Sequence, residues 1–147
     1  MGELVVRLDY EWRSVRDGTG APYRFPAERG DIRQRHSGPA IYRWVVTDSD
    51  GRVDSVYIGE TGNLGRRLGN HLSPPSFMQT ATRIHDELTK AVEAGFEVSF
   101  QIAEWKSIRV GTGELELSDL RKKTVRVFLE HALLAESNLA GVRALNA

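Results

Sequence analysis

The stretch from 40 to 71, AIYRWVVTDSDGRVDSVYIGETGNLGRRLGNH, leaves the chain few choices. Residues 40–46 and 53–59 are β-branched and aromatic runs, and TDSDG between them is turn chemistry, so the pair reads as a hairpin. On the second strand Val56 and Ile58 share one face while Ser55, Tyr57 and Gly59 share the other. Tyr42 and Tyr57 then stand mid-strand, near one another across the sheet. Past Gly59 the chain turns, and Asn63 is a suitable N-cap for a helix over 64–72.

Helical spacing sorts the residues of that segment. Leu64, Leu68 and Leu72 form a stripe for the core, and Arg66 points nearly opposite, into solvent. Arg67 and His71 are four apart and stack on one flank beside the stripe. Gly65 and Gly69 occupy the other flank, where a second backbone can approach at a cost in helix propensity. A cation, an imidazole and two phenols are thereby gathered on rigid elements around one place.

Length and composition set the outer bounds. A chain of 147 residues fits one domain with a real core. No apolar run approaches a membrane span, and the N-terminal MGELVVRLDYEW lacks the basic start and apolar core of a secretory leader. The absence of cysteine removes disulfides, a thiol nucleophile and zinc–thiolate sites, and makes a cytoplasmic location the default expectation. Twenty basic and twenty acidic residues give zero net charge, which weighs mildly against tight non-specific binding of nucleic acid. Locally, residues 106–126 hold six basic against three acidic residues, including Arg121-Lys122-Lys123; such short runs are more often solvated helix faces.

Before the hairpin, Leu4, Val6, Leu8 and Tyr10 alternate with Val5, Arg7 and Asp9, the pattern of a half-buried strand that can extend the edge of the sheet. Residues 17–38 are rich in Gly, Pro and charge and read as loop. Tyr23, Arg24 and Phe25 within it suit nucleic-acid contacts, although aromatics anchoring a loop to the core are the commoner case. Downstream, SPPS breaks the chain, and Ser76 with Gln79 matches a capping box. Phe77, Ala81, Ile84, Leu88, Ala91 and Val92 then mark a second helix, which Gly95 is placed to end. FEVSFQI alternates as a third strand. IRVGTGELEL reads equally as a hairpin turning at Gly111-Thr112-Gly113 or as an ordered loop.

A last long helix is expected from Ser118-Asp119 to about Ser137, with Val125, Phe128, Leu129, Ala132 and Leu133 as its core stripe. Glu130 lies off that stripe, yet its neighbours Val127 and Leu134 are apolar, so its carboxylate is partly buried with a partner or binds a cation. Taken alone, a structural ion pair is the commoner outcome. The order β-β-α-α-β-α predicts an α+β fold, a small sandwich with a central antiparallel three-stranded sheet flanked by helices. Residues 1–37 form an N-terminal extension and 38–147 the main domain.

AIY, then VYIGET, then Asn63-Leu64, Arg67 and His71 resemble the GIY-YIG nuclease family in order and spacing, with Ala40 where that family usually has glycine. The resemblance covers roughly residues 38–146. It implies a divalent-metal-dependent phosphodiester hydrolase, a DNA endonuclease before an RNA one, with a site of Tyr42, Tyr57, Arg67, His71, Glu130 and Asn146. It makes Glu130 the ligand of Mg²⁺ or Mn²⁺, since hard oxygen ligation completed by waters and phosphate suits those ions. It makes Tyr42 the general base or water-orienting group, able to pass a proton if its pKa falls through a nearby cation, and puts Tyr57 close by on the phosphate side. His71 would orient Tyr42 or relay its proton, and Arg67 would offer forked donors to phosphate. The family's late asparagine falls on Asn146 in preference to Asn138, while His36, His85 and His131 match nothing. The family usually gains specificity from an attached domain. Here residues 1–36, the segment 109–116, a partner or a homodimer would have to supply it, unless cleavage is weakly specific or structure-selective. An inactive nucleic-acid-binding module of the same fold and a structural or interaction domain are the rival readings.

Overall fold

The computed structural model describes residues 2–26 and 36–146. One sheet runs through it in the order β1-β4-β2-β3-β6, with β5 alongside the far end of β4. The elements are β1 (Val6–Ser14), β2 (Ala40–Thr47), β3 (Val53–Thr61), α1 (Leu64–Leu72), α2 (Gln79–Glu93), β4 (Glu97–Val110), β5 (Gly113–Leu115), a 3-10 turn (Leu117–Arg121), α3 (Lys123–Leu139) and β6 (Arg143–Ala144). The α+β class is as expected. The sheet is wider than three antiparallel strands: it has six strands and is mixed, because β6 joins β3 in parallel while every other pairing is antiparallel.

The β2–β3 hairpin closes where Asp48 Oδ1 accepts from the Asp50 and Arg52 amides at 2.9 Å each, and Gly51 takes the left-handed conformation (φ +81°) the turn requires. Alternation along the strands then makes two cores. Tyr42, Trp44, Val46, Tyr57, Val98 and Phe100 project from one face to meet Leu64 and Leu68 of α1 and Ile84 and Leu88 of α2. From the opposite face Ile41, Val45, Val56, Ile58, Ala103 and Trp105 meet Leu129 and Leu133 of α3. The fold is thus helices, sheet, helix, each layer burying the apolar side of the next.

The N-terminal segment is integral to this arrangement. β1 pairs along β4 from Val6↔Val110 to Ser14↔Gln101, and Leu8, Tyr10 and Trp12 pack on the α3-side core. Tyr23 and Phe25 are buried in the other core, so these aromatics anchor the following loop; Arg24 pairs with Glu97 at 2.7 Å. The rest of that loop, 27–35, lies outside the described residues.

Three local expectations need correction. The Ser76–Gln79 capping box does not form: α2 begins after Met78 without a side-chain cap. Phe77 leaves the helical stripe altogether and is 82% exposed. The last helix does not run unbroken from Ser118, because Glu116 and Asp119 cap the short 3-10 turn reciprocally, and Lys122 is extended before α3 starts. Residues 108–115 resolve as a hairpin, with Val110 opposite Gly113. Among the described residues no helix is long and apolar enough to cross a membrane.

Candidate active site

Three elements bring the sequence-selected side chains together. In the hairpin register Tyr42 faces Gly59 and Trp44 faces Tyr57, so the two tyrosines meet diagonally, with ring centroids 6.3 Å apart. His71, from the last turn of α1, completes a triangle at 5.7 Å from Tyr42 and 5.6 Å from Tyr57. What lets the Tyr42 ring lie across the strand is the bare backbone of Gly59: a Cβ there would stand 2.4 Å from Tyr42 Oη and 2.5 Å from Cζ. Helix α1 is fixed by Asn63, whose side chain accepts from the Arg66 amide at 3.0 Å.

A bond invisible to the sequence determines the state of His71. The Trp44 indole N–H donates to His71 Nδ1 at 2.7 Å, and an indole can only donate. The neutral ring therefore carries its hydrogen on Nε2. Burial, then the charge of Arg67, then His85, hold the His71 pKa down at about 3. With Nδ1 covered and Nε2 already protonated, His71 can orient a phenol oxygen but has no open position to accept its proton. Of the two roles expected of it, orienting Tyr42 or relaying its proton, this arrangement suits the first.

Among the protein's own groups, burial shifts both tyrosines upward. Tyr42 is raised well above its ordinary value, chiefly by complete burial and then by Tyr57, which together outweigh the lowering by Arg67. Tyr57 is raised too, again by burial first. Tyr42 Oη makes no hydrogen bond of ordinary geometry, although Arg67 and Tyr57 lie beside it. Both phenols are neutral as the protein stands.

Glu130 approaches from the other side of the sheet, on α3, at the Glu60 end of β3. Its side chain is 20% exposed. Its pKa is raised, first by burial and then by the charge of Glu60, against the lowering pull of His131, the Glu60 backbone amide and Arg67. Its charge is close enough to raise both tyrosines. His131, exposed, lies 3.7 Å away.

Asn146 has a different task from its neighbours. Its Oδ1 accepts from the Ile58 amide at 3.1 Å and its Nδ2 donates to the Ile58 carbonyl at 2.6 Å. The side-chain amide thus continues the β3–β6 ladder by one step, after which the edge of β3 is left to Glu130. Asn138 is exposed near the end of α3 and lies outside this group.

Sequence reasoning passed over Trp44, Glu60 and Arg126. Arg126 is buried. It donates through Nε to Glu60 at 2.7 Å and through Nη1 to the carbonyls of Leu120 and Arg121 at 3.0 and 2.8 Å. It ties the end of β3 to the turn before α3 and so sets the position of Glu130. Its place four residues before Glu130, on the same side of one helix, was the available signal. Trp44 left none, since an indole two residues beyond a core tyrosine looks like core.

Compared with models of protein families, with curated proteins and with solved structures, the chain shows no match.

Proposed function

We propose that this chain is a divalent-metal-dependent phosphodiesterase of the GIY-YIG type, acting as a DNA endonuclease. The supporting observation is the convergence of Tyr42, Tyr57, Arg67 and His71 on one place that the Glu130 charge reaches from the opposite helix layer. The cluster joins two buried neutral phenols to a partly exposed guanidinium and a partly exposed carboxylate with a raised pKa. It fits a doubly charged cation and a phosphodiester well. Among the described residues no group of three or more His, Cys, Asp or Glu could by itself hold an ion, so the proposed ion would rest on one carboxylate, with water and substrate completing its shell.

Mg²⁺ or Mn²⁺ at Glu130 would supply Lewis-acid stabilisation of the phosphorane and reverse the charge that now raises both phenols. Arg67 contributes permanent positive charge and two parallel donors to a non-bridging phosphate oxygen. His71 and Tyr57, whose rings pack against Tyr42, would hold the Tyr42 ring in place, and Tyr42 would orient the attacking water. Asn146 keeps the β3 edge in register beside Glu130. DNA is the preferred substrate over RNA on the resemblance alone.

The test is cleavage of supercoiled plasmid with Mg²⁺ or Mn²⁺, against EDTA, with Glu130→Ala alongside. Metal-dependent nicking that disappears in the variant supports the reading. One observation favours the rival of a binding module without turnover: both phenols are protonated and Tyr42 is sealed from solvent. Salt-sensitive DNA binding by a wild type that never nicks would establish that rival.

A further inference from the structure

Beside the candidate site lies a cleft of about 960 Å³, between α1 and the turn that leads into α2. Arg67 belongs to both, so the cleft opens directly onto the place where a phosphodiester would be held. Arg66, Asn63 and Asn70 line it, together with Phe77 and Met78, and among the described residues no carboxylate does. Among the described residues neither arginine forms an ion pair. Phe77 is 82% exposed, a large ring left in water at the rim of a polar, positively charged hollow. Its position is not accidental slack: Pro74 and Pro75 precede it, and the Met78 amide closes the turn on the Pro75 carbonyl at 3.0 Å.

Each part of this lining suits one part of a nucleotide. Guanidinium groups without an ion-pair partner match phosphate, and an exposed aromatic face matches a base. Inside a duplex a base has both faces covered by its neighbours, so Phe77 could find no face to stack on. An unpaired base next to the reacting phosphate has one to offer. We propose that this cleft binds a nucleotide whose base has left the stack, with the base on Phe77 and its phosphate on Arg66, immediately beside the phosphodiester on Arg67. The preferred substrate is then a gapped, flapped or single-stranded segment, and not a fully paired duplex. This rests on the phosphodiesterase reading for the role of Arg67, but the binding it describes needs no turnover.

The experiment compares two oligonucleotides of the same sequence, one fully paired and one with a five-nucleotide gap carrying 2-aminopurine. Fluorescence anisotropy is measured in EDTA with the full chain. Wild type should bind the gapped form about ten-fold or more tightly and quench 2-aminopurine by stacking. Phe77→Ala should cut that preference about 5- to 100-fold or abolish it, and Phe77→Trp should restore it. Because Phe77 is so exposed, neither change threatens the fold, and Leu117→Ala, another exposed apolar residue, should leave the preference intact. Arg66→Gln should lower the salt slope of gapped-DNA binding by about one ion. Equal affinity for both oligonucleotides, or a preference untouched by Phe77→Ala, overturns the proposal. A wild type that nicks plasmid but shows no preference refutes the cleft and leaves the nuclease; a Phe77-dependent preference without any nicking does the reverse.

Discussion

Replacing Gly59 by alanine should damage both the stability of this fold and the geometry of its site, through a single contact. The added Cβ would stand 2.4 Å from Tyr42 Oη, 2.5 Å from Cζ and 3.0 Å from Cε1. Unstrained non-bonded contacts lie at about 3.5–4.0 Å, so the ring would have to withdraw by about 1 Å. It has nowhere to go. Tyr42 is fully buried, its strand is held between β3 and β4, and its ring packs on Phe100, His71 and Tyr57. Backbone strain is no part of this, since Gly59 is not among the glycines with positive φ. Overpacking of this kind costs about 1–3 kcal/mol, read as a shift in the urea midpoint. A displacement of about 1 Å at a reacting group would lower cleavage on the order of 10²-fold. Gly62→Ala is the control, because the nearest atom to its Cβ would be Arg126 Nη2 at an ordinary 3.4 Å. A cycle with Tyr42→Leu adds a check: the double variant should lose less than the sum of the two single ones. If Gly59→Ala proves as stable as wild type, or no worse than Gly62→Ala, the packing argument for the YIG glycine is wrong.

Four further outcomes follow from the same geometry. His71 is depressed to about pH 3 in the fold against 6.5 in a model state, so the unfolded chain binds its proton first and stability falls as pH drops below 6.5. By pH 4.5 the loss should be about 2–3 kcal/mol in urea titrations, and His71→Asn should flatten that acid limb. Arg126→Ala leaves Glu60 desolvated without its partner and should cost about 3 kcal/mol, with Arg126→Lys recovering little because three acceptors are then served by one ammonium. Glu130→Gln removes repulsion from Glu60 and should raise stability by up to about 1 kcal/mol while abolishing metal-dependent cleavage; a destabilised variant would contradict the raised Glu130 pKa. Trp44→Phe keeps an aromatic side chain but loses part of the buried indole and strips Nδ1 of His71 of its donor, which should cost about 1–3 kcal/mol or more and raise the histidine pKa seen by NMR.

Much of the fold was legible because it is written in short periods. The alternation around Tyr42 and Tyr57, the TDSDG turn and the Asn63 cap each follow from neighbours within four residues. The three-stranded expectation fell short for a matching reason. Strand β6 is two residues long and exists only because the chain returns to β3, and β1 finds β4 across about ninety residues of sequence, which no local pattern reports. Phe77 was assigned to the core because spacing alone fits it to the α2 stripe; the two prolines before it swing the ring outward instead. The upward push on the Tyr42 pKa comes from burial, which depends on three layers closing around the ring and is not reported by any short motif. Trp44 and Arg126 act through partners 27 and 66 residues away, beyond the reach of any motif.

The neutral net charge, which weighed against nucleic-acid binding, changes meaning once the charges are placed. Several basic residues are absorbed by carboxylates: Arg13 by Glu104, Arg24 by Glu97, Lys122 by Asp119, and Arg126 by Glu60. Among the described residues Arg66 and Arg67 form no such ion pair; both line the cleft, and Arg67 also lies beside Tyr42. A phosphate polymer would therefore meet a small positive patch and not a basic protein. Such a patch neutralises few phosphates, so non-specific affinity and its salt dependence should both be shallow. Residence at the site must then come from shape and stacking. Selectivity for a distorted or unpaired strand is what the proposed phosphodiesterase would need, since so small a patch supplies little long-range attraction to hold it on ordinary duplex.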